Sequence, residues 1–145
     1  MEVWRLEEGF APDKLVRAER PEAEPGPGEV LLEMRAASLN YRDWLTINGG
    51  YGPRNTLPLI PLSDGVGEVI AVGAGVDRVG VGDRVSPLFF PAWIGGEPVP
   101  AKFRVTLGGP LDGVLRRRMV IGAEAVARVP EHLSDAEAAS LPCAG

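Results

Sequence analysis

The chain has 145 residues and a mass of 15.4 kDa, enough for one domain with its own core, and 45 % of it is hydrophobic. Its formal charge of −5, from 15 basic and 20 acidic residues, excludes a broad basic field and with it a nucleic-acid partner. A single cysteine, Cys143, excludes an internal disulfide and fits a reducing, cytoplasmic setting.

The opening "MEVWRLEEG" carries charge at once and no apolar run of signal-peptide or membrane-span length, so neither is expected. "EVWRL" at 2–6 and "KLVRAER" at 14–20 read as short strands around a turn-like "EEGFAPD". Pro21, Pro25 and Pro27 remove backbone donors and fix φ, which makes 20–29 a stiff connection. In 29–39, Val30, Leu32, Met34 and Ala36 alternate with Glu29, Leu31, Glu33 and Arg35, the period of a half-buried strand.

Helical spacing comes next, with Tyr41, Trp44, Leu45 and Asn48 on one side. Asn40 is placed as its N-cap and Asp43 in its first turn, where a carboxylate favours the amide end. Gly49 and Gly50 supply the stop.

Residues 65–88 set β-branched side chains between single glycines: Val66, Val69, Ile70 and Val72 as one strand, "GAGVDRVGVGD" as turns, "RVSPL" as another strand. Gly65–Val66–Gly67 mimics the start of a dinucleotide loop, but the residues after it are strand-like where such a loop opens a helix. Residues 89–112, aromatic and glycine-rich without a steady period, read as an ordered surface excursion. "GVLRRRMVI" and "EAVARVP" read as closing strands, and Ser134 with Glu137 forms a capping box opening a last helix that Pro142 limits. Six to eight short strands, two short helices and no βαβ alternation describe a compact or partly open β-barrel.

The residue types narrow the chemistry. Cys143 and His132, eleven positions apart, are too few to hold a zinc ion within the chain, and Cys143 has no neighbouring base to make it a nucleophile. It reads instead as a small buried hydrophobe. Asp43, Asp64 and Glu68 are carboxylates whose convergence the sequence leaves open; Asp43 also reads as a helix-start group and Asp64 as a turn residue. Tyr41 can donate to a substrate oxygen and Asn40 can orient it. Phe89, Phe90, Pro91 and Trp93 beside Gly95–Gly96 line a pocket, an interface or a core. Arg116–Arg118 reads as a solvated edge or a phosphate contact.

Three stretches in order, "EPGPGEVLLEMRAASLNYRD", "LPLIPLSDGVGEVIAVGAGVDRVGVGDRV" and "RVPEHLSDAEAASLPCAG", resemble the N-terminal part of the medium-chain dehydrogenase/reductase family, the zinc alcohol dehydrogenase and quinone oxidoreductase group. The resemblance runs the length of the chain and is weakest at 89–112. It implies a mainly β fold, a GroES-like partly open barrel with short peripheral helices. Residues 1–130 would be the catalytic domain, and 131–145 the start of the helix leading to a Rossmann domain that binds NAD or NADP. No strand–glycine loop–helix able to cradle a pyrophosphate occurs within the chain, so the chain reads as a fragment, expected to be inactive alone.

In zinc-dependent relatives the position of Asn40 is a ligating Cys, that of Ser63 a His, and Asp64 is a Glu; some relatives take a third ligand at the place of Cys143. The four-cysteine structural lobe is also missing. "NYRD" at 40–43 resembles instead the zinc-independent, quinone-oxidoreductase-like members. The resemblance therefore implies hydride transfer from NADH or NADPH to a small-molecule quinone, enone or carbonyl, without a metal. Asn40 and Tyr41 would stand at the nicotinamide–substrate junction, Phe90 and Trp93 would shape the pocket, and Asp43, Ser63 and Asp64 would organise the backbone. The full-length enzyme would be a homodimer or homotetramer. An alcohol dehydrogenase of the same family, and a solitary GroES-like interaction domain without catalysis, are the alternatives.

Overall fold

The computed structural model describes residues 1–51 and 54–145. In chain order the elements are β1 (Glu2–Leu6), β2 (Leu15–Glu19), β3 (Glu29–Ser38), α1 (Tyr41–Ile47), β4 (Asp64–Val72), β5 (Arg84–Pro87), β6 (Arg118–Gly122), β7 (Val126–Arg128) and α2 (Asp135–Ala139), with short 3-10 turns between some of them. β1 and β2 form an antiparallel pair, and the other strands form one antiparallel sheet ordered β6-β3-β4-β5-β7. Single bridges, Val3 to Arg116 and Leu6 to Leu59, tie the pair to the rest. The sheets do not close, and the architecture is the expected partly open β fold with small helices. Among the described residues no helix is long and apolar enough to cross a membrane.

The two-residue period of β3 works as the sequence predicts in its first half, where Val30 and Leu32 are fully buried. They meet Val69, Val85, Met119, Ile121 and Val126 from four other strands in one core cluster. Burying each such side chain stabilises the fold by about 2 kcal/mol. Further along, Met34 and Ala36 are only half-buried, and the register against β4 slips between Met34 and Ala36.

Gly65 and Gly67 belong to β4, and close packing explains both. A Cβ on Gly65 would lie 2.9 Å from Met34 Cε and 3.1 Å from the Ala36 carbonyl oxygen. One on Gly67 would lie 3.0 Å from Leu32 Cβ. The glycines let β3 press against β4, as a strand glycine at a close backbone approach does.

The closing strands are shorter than the sequence suggests, because 113–117 runs as bridged loop against β1 and the 59–62 segment. The Arg116–Arg118 run is engaged within the fold: Arg117 pairs with Glu33 at 3.5 Å, Arg118 with Glu22, and Arg116 donates to the Asp112 carbonyl at 3.4 Å. At α2 the capping box forms as read, the Ser134 N–H donating to Glu137 Oε2 at 2.9 Å and the Glu137 N–H to Ser134 Oγ at 3.3 Å. Ala138 and Ala139 then pack on Val66 of β4.

Candidate active site

α1 starts where the sequence places it, under a capping box in which the Asn40 side chain faces the Asp43 N–H and the Asp43 carboxylate reaches back to Asn40. The Asn40 backbone N–H donates to Asp43 Oδ2 at 2.8 Å, while the Asn40 side-chain Nδ2 is buried with no hydrogen-bond partner. At the far end Gly49 takes φ +75° and the Gly50 N–H donates to the Leu45 carbonyl at 2.8 Å, closing the last turn.

The side shared by Tyr41 and Trp44 is the exposed one. Tyr41 is 75 % exposed and Trp44 57 %, their rings stacked with centroids 5.9 Å apart. The buried side is polar: Arg42, Asp43 and Thr46. A periodicity argument seeks an apolar face; here the helix docks by hydrogen bonds instead.

Arg42 is the tie. Its guanidinium donates to the Leu107 carbonyl at 3.0 Å, Thr106 Oγ1 at 3.2 Å and the Gly109 carbonyl at 3.4 Å. Its Cζ lies 4.8 Å from the centre of the Tyr51 ring and 5.0 Å from that of Phe89. One cation so holds the start of α1, the 106–109 turn and the aromatic excursion together. Its neighbour Asp43 is 1 % exposed. Burial raises the Asp43 carboxyl above its ordinary value, against smaller opposing effects from the Asn40 amide and Arg42.

Ser63, Asp64 and Cys143 converge beside Asp43. The Ser63 hydroxyl donates to Asp64 Oδ1 at 2.7 Å, and the Cys143 backbone N–H donates to Asp64 Oδ2 at 3.1 Å. Ser63 and Asp64 are both fully buried. Burial, then the nearby Asp64 charge, pushes the Cys143 thiol up from its ordinary value, with Arg42 opposing. Leu62, just before this pair, sits in the left-handed region at φ +70°, a conformation that costs a residue with a side chain about 1 kcal/mol. It is held there by backbone: the Val114 N–H donates to the Leu62 carbonyl at 2.9 Å, and a Cβ on Gly113 would lie 1.9 Å from that carbonyl oxygen.

This donor set does not fit a zinc ion. Asn40 offers an amide and Ser63 a hydroxyl, and both oxygens of Asp64 already accept hydrogen bonds, which leaves the Cys143 thiol as the one ligand of the zinc type in the group. Among the described residues no three His, Cys, Asp or Glu side chains cluster as a metal site would need.

Phe90 and Trp93 belong to one aromatic wall. Phe90 meets Phe89 edge-on at 4.5 Å and Phe103 at 5.0 Å, and Trp93 meets Phe103 at 4.9 Å. A cleft of about 320 Å³ lies between Phe90, Trp93, Pro142 and Cys143. The pocket-shaping residues and the Ser63–Asp64–Cys143 group thus meet at Cys143. Asn40 is joined to that group through Asp43. The exposed Tyr41 ring lines neither this cleft nor the larger cavity on the other side of Phe90. Arg42 and Phe103 are the neighbours that sequence reasoning passes over, and Cys143, read there as a small buried hydrophobe, is half-buried and joins the group through its backbone N–H. For Arg42 a signal existed in its place within "NYRD"; for Phe103 there was none.

Residues 26–131 match the alcohol dehydrogenase GroES-like domain family. A zinc-type alcohol dehydrogenase-like protein of Schizosaccharomyces pombe is 42 % identical over 118 residues, covering 81 % of this chain and 34 % of that protein. Among solved structures, a Sinorhizobium meliloti 1021 protein assigned as an alcohol dehydrogenase superposes with a TM-score of 0.88 at 38 % identity, over 98 % of this chain and 42 % of that one. The quinone oxidoreductase of Coxiella burnetii superposes with a TM-score of 0.78 at 28 % identity, over 100 % of this chain and 42 % of that one. The chain therefore spans well under half the length of these relatives.

Proposed function

Because this chain belongs to the alcohol dehydrogenase GroES-like domain family, we propose that it is the substrate-side domain of an oxidoreductase that reduces a quinone, enone or carbonyl by hydride transfer without zinc. Residues 1–130 form that domain, and 131–145 lead into a nucleotide-binding domain that holds NAD or NADP. The chain alone is inactive on this reading, because it lacks a pyrophosphate cradle of its own. The complete enzyme is a homodimer or homotetramer of the cytoplasm.

The observation that carries the proposal is the Asn40 amide: a buried Nδ2 with no partner, at the start of α1 and tied through Asp43 to the Ser63–Asp64 pair. A buried donor left unsatisfied is costly, and a substrate oxygen is a natural acceptor for it once binding opens a path to the amide, which solvent does not reach in this structure. When bound, the nicotinamide supplies the hydride. Negative charge then grows on the substrate oxygen, and the Asn40 N–H stabilises it where a zinc-bearing relative would use a Lewis acid. Tyr41, next on the same turn but exposed and outside the cleft of this domain, delivers the proton to that oxygen only where the nucleotide-binding domain closes over it. Phe90 and Trp93 exclude water from the reacting end. Asp43, Ser63 and Asp64 keep the backbone under Asn40 in place.

The test is steady-state kinetics of the complete enzyme on quinones, enones and alcohols, with Asn40→Ala and Tyr41→Phe variants. The expected result is reduction of quinone or enone and a loss of at least tenfold in kcat/KM for Asn40→Ala. Unchanged kcat/KM in both variants removes them from the site. Oxidation of alcohols with no reduction of quinones would favour the alcohol dehydrogenase reading that the Schizosaccharomyces pombe and Sinorhizobium meliloti relatives support.

A further inference from the structure

Among the described residues, eleven of the fifteen lysine and arginine side chains pair with a carboxylate. The four that do not are Arg54, Lys102, Arg104 and Arg116. Arg116 faces the Asp112 carbonyl near β1, away from the aromatic wall. Lys102 and Arg104 lie on the aromatic excursion, and Arg54 meets it by donating to the Arg104 carbonyl. Lys102 is engaged by the Gly95 and Glu97 carbonyls at 2.6 and 2.8 Å. Arg54 and Arg104 are left, and both line a cavity of about 440 Å³ with Tyr51, Asn55, Phe90 and Phe103. Every acidic residue of the chain lies among the described residues, so no hidden carboxylate answers them.

Two guanidinium groups without counter-charge at one cavity are unusual in a chain that carries a net −5. Arg54 is also partly fixed: its Nη1 donates to the Arg104 carbonyl at 3.1 Å, and among the described residues its other nitrogens have no partner. Planar guanidinium forks suit an oxyanion, which they can grip through two parallel bonds. The rest of the wall is aromatic, with Phe90 and Phe103 edge-on at 5.0 Å. Phe90 faces both this cavity and the cleft beside Cys143, so a molecule lying along its ring reaches from one to the other.

We infer that this cavity receives the anionic end of the substrate, a carboxylate or phosphate held by Arg54 and Arg104, while the planar body of the substrate lies against Phe90 and Phe103. The inference rests on the oxidoreductase reading for the word substrate, and on Arg54, Arg104 and the shared Phe90 wall for the anion. It narrows the substrate class to acid-bearing enones, quinones or carbonyl compounds of about one ring in size. Since the chain as a whole repels anions, the attraction is local and weakens with salt.

Binding to the chain itself tests this without any hydride transfer. Titrations followed by NMR would use benzoate, phenyl phosphate and uncharged benzamide, on the wild-type chain and on Arg54→Gln/Arg104→Gln, whose fold is checked by circular dichroism. The expected result is at least tenfold tighter binding of one or both anions than of benzamide, with shifts at Phe90 and Phe103, and loss of that preference in the double variant. Which anion binds better tells carboxylate from phosphate. Anions that bind no tighter than benzamide, or a preference that survives in the folded double variant, would overturn it. Intact anion preference in the chain, together with a complete enzyme that transfers no hydride, would sink the oxidoreductase reading and leave the anion site standing.

Discussion

Asp64 Oδ2 accepts the backbone N–H of Cys143 at 3.1 Å, a bond spanning 79 positions that pins the segment after α2 to the first residue of β4. The same carboxylate takes the Ser63 hydroxyl on its other oxygen. Asp64→Ala leaves both donors without their acceptor in a buried site, which costs about 2 kcal/mol. Urea denaturation should show that loss, and amide hydrogen exchange at Cys143 should accelerate. Asp64→Asn keeps one acceptor oxygen and should cost less. Equal stability and exchange for wild type and Asp64→Ala would mean that the bond does not hold the segment.

Arg42→Met removes a buried cation from three acceptors and two aromatic rings while keeping most of the side chain's volume. The Thr106 and carbonyl groups lose their donor, and Asp43 loses its neighbouring positive charge. A destabilisation of about 3 kcal/mol is expected, since removing one partner of a buried pair leaves the other uncompensated. The near-ultraviolet circular dichroism should change with it, because Phe89 and Tyr51 lose the group between them. Arg42→Lys should recover only part, a point charge being unable to serve three acceptors at once.

Asp43 gives the fold a pH dependence of definite sign. Its carboxyl is raised by burial, so the folded state binds the proton more tightly than the unfolded state does. Its contribution to stability is then fully present below the unfolded value and is lost as pH rises through the folded value. Measured against Asp43→Asn, the wild type should lose relative stability over a window that starts near the ordinary aspartate value and ends at the raised one, and be flat above it. A wild type that gains relative stability as pH rises through that window would reverse the account.

Most of the local structure was legible because its causes are local. The Ser134–Glu137 box, the Asn40 helix start, the alternation of Val30 and Leu32 and the strand character after Gly65 each depend on residues within a few positions. The burial of α1 was not legible. Its polar face is buried because Arg42 finds acceptors more than 60 residues away, and no periodicity within the helix encodes that. Asp64 likewise has its partner in Cys143, which alone reads as a small hydrophobe. The aromatic excursion was legible in composition, through Phe90 and Trp93, but its organisation depends on Phe103, which returns from a separate turn to touch both.

The central claim is that Asn40 and its neighbours do the work of a metal. The most direct measurement is hydride transfer from NADH or NADPH to a quinone or enone by the complete enzyme, before and after exhaustive treatment with a zinc chelator, with the metal content determined in parallel. The account predicts an unchanged rate with no zinc bound, and a rate that falls when Asn40 is replaced. Activity abolished by the chelator and restored by zinc would contradict it.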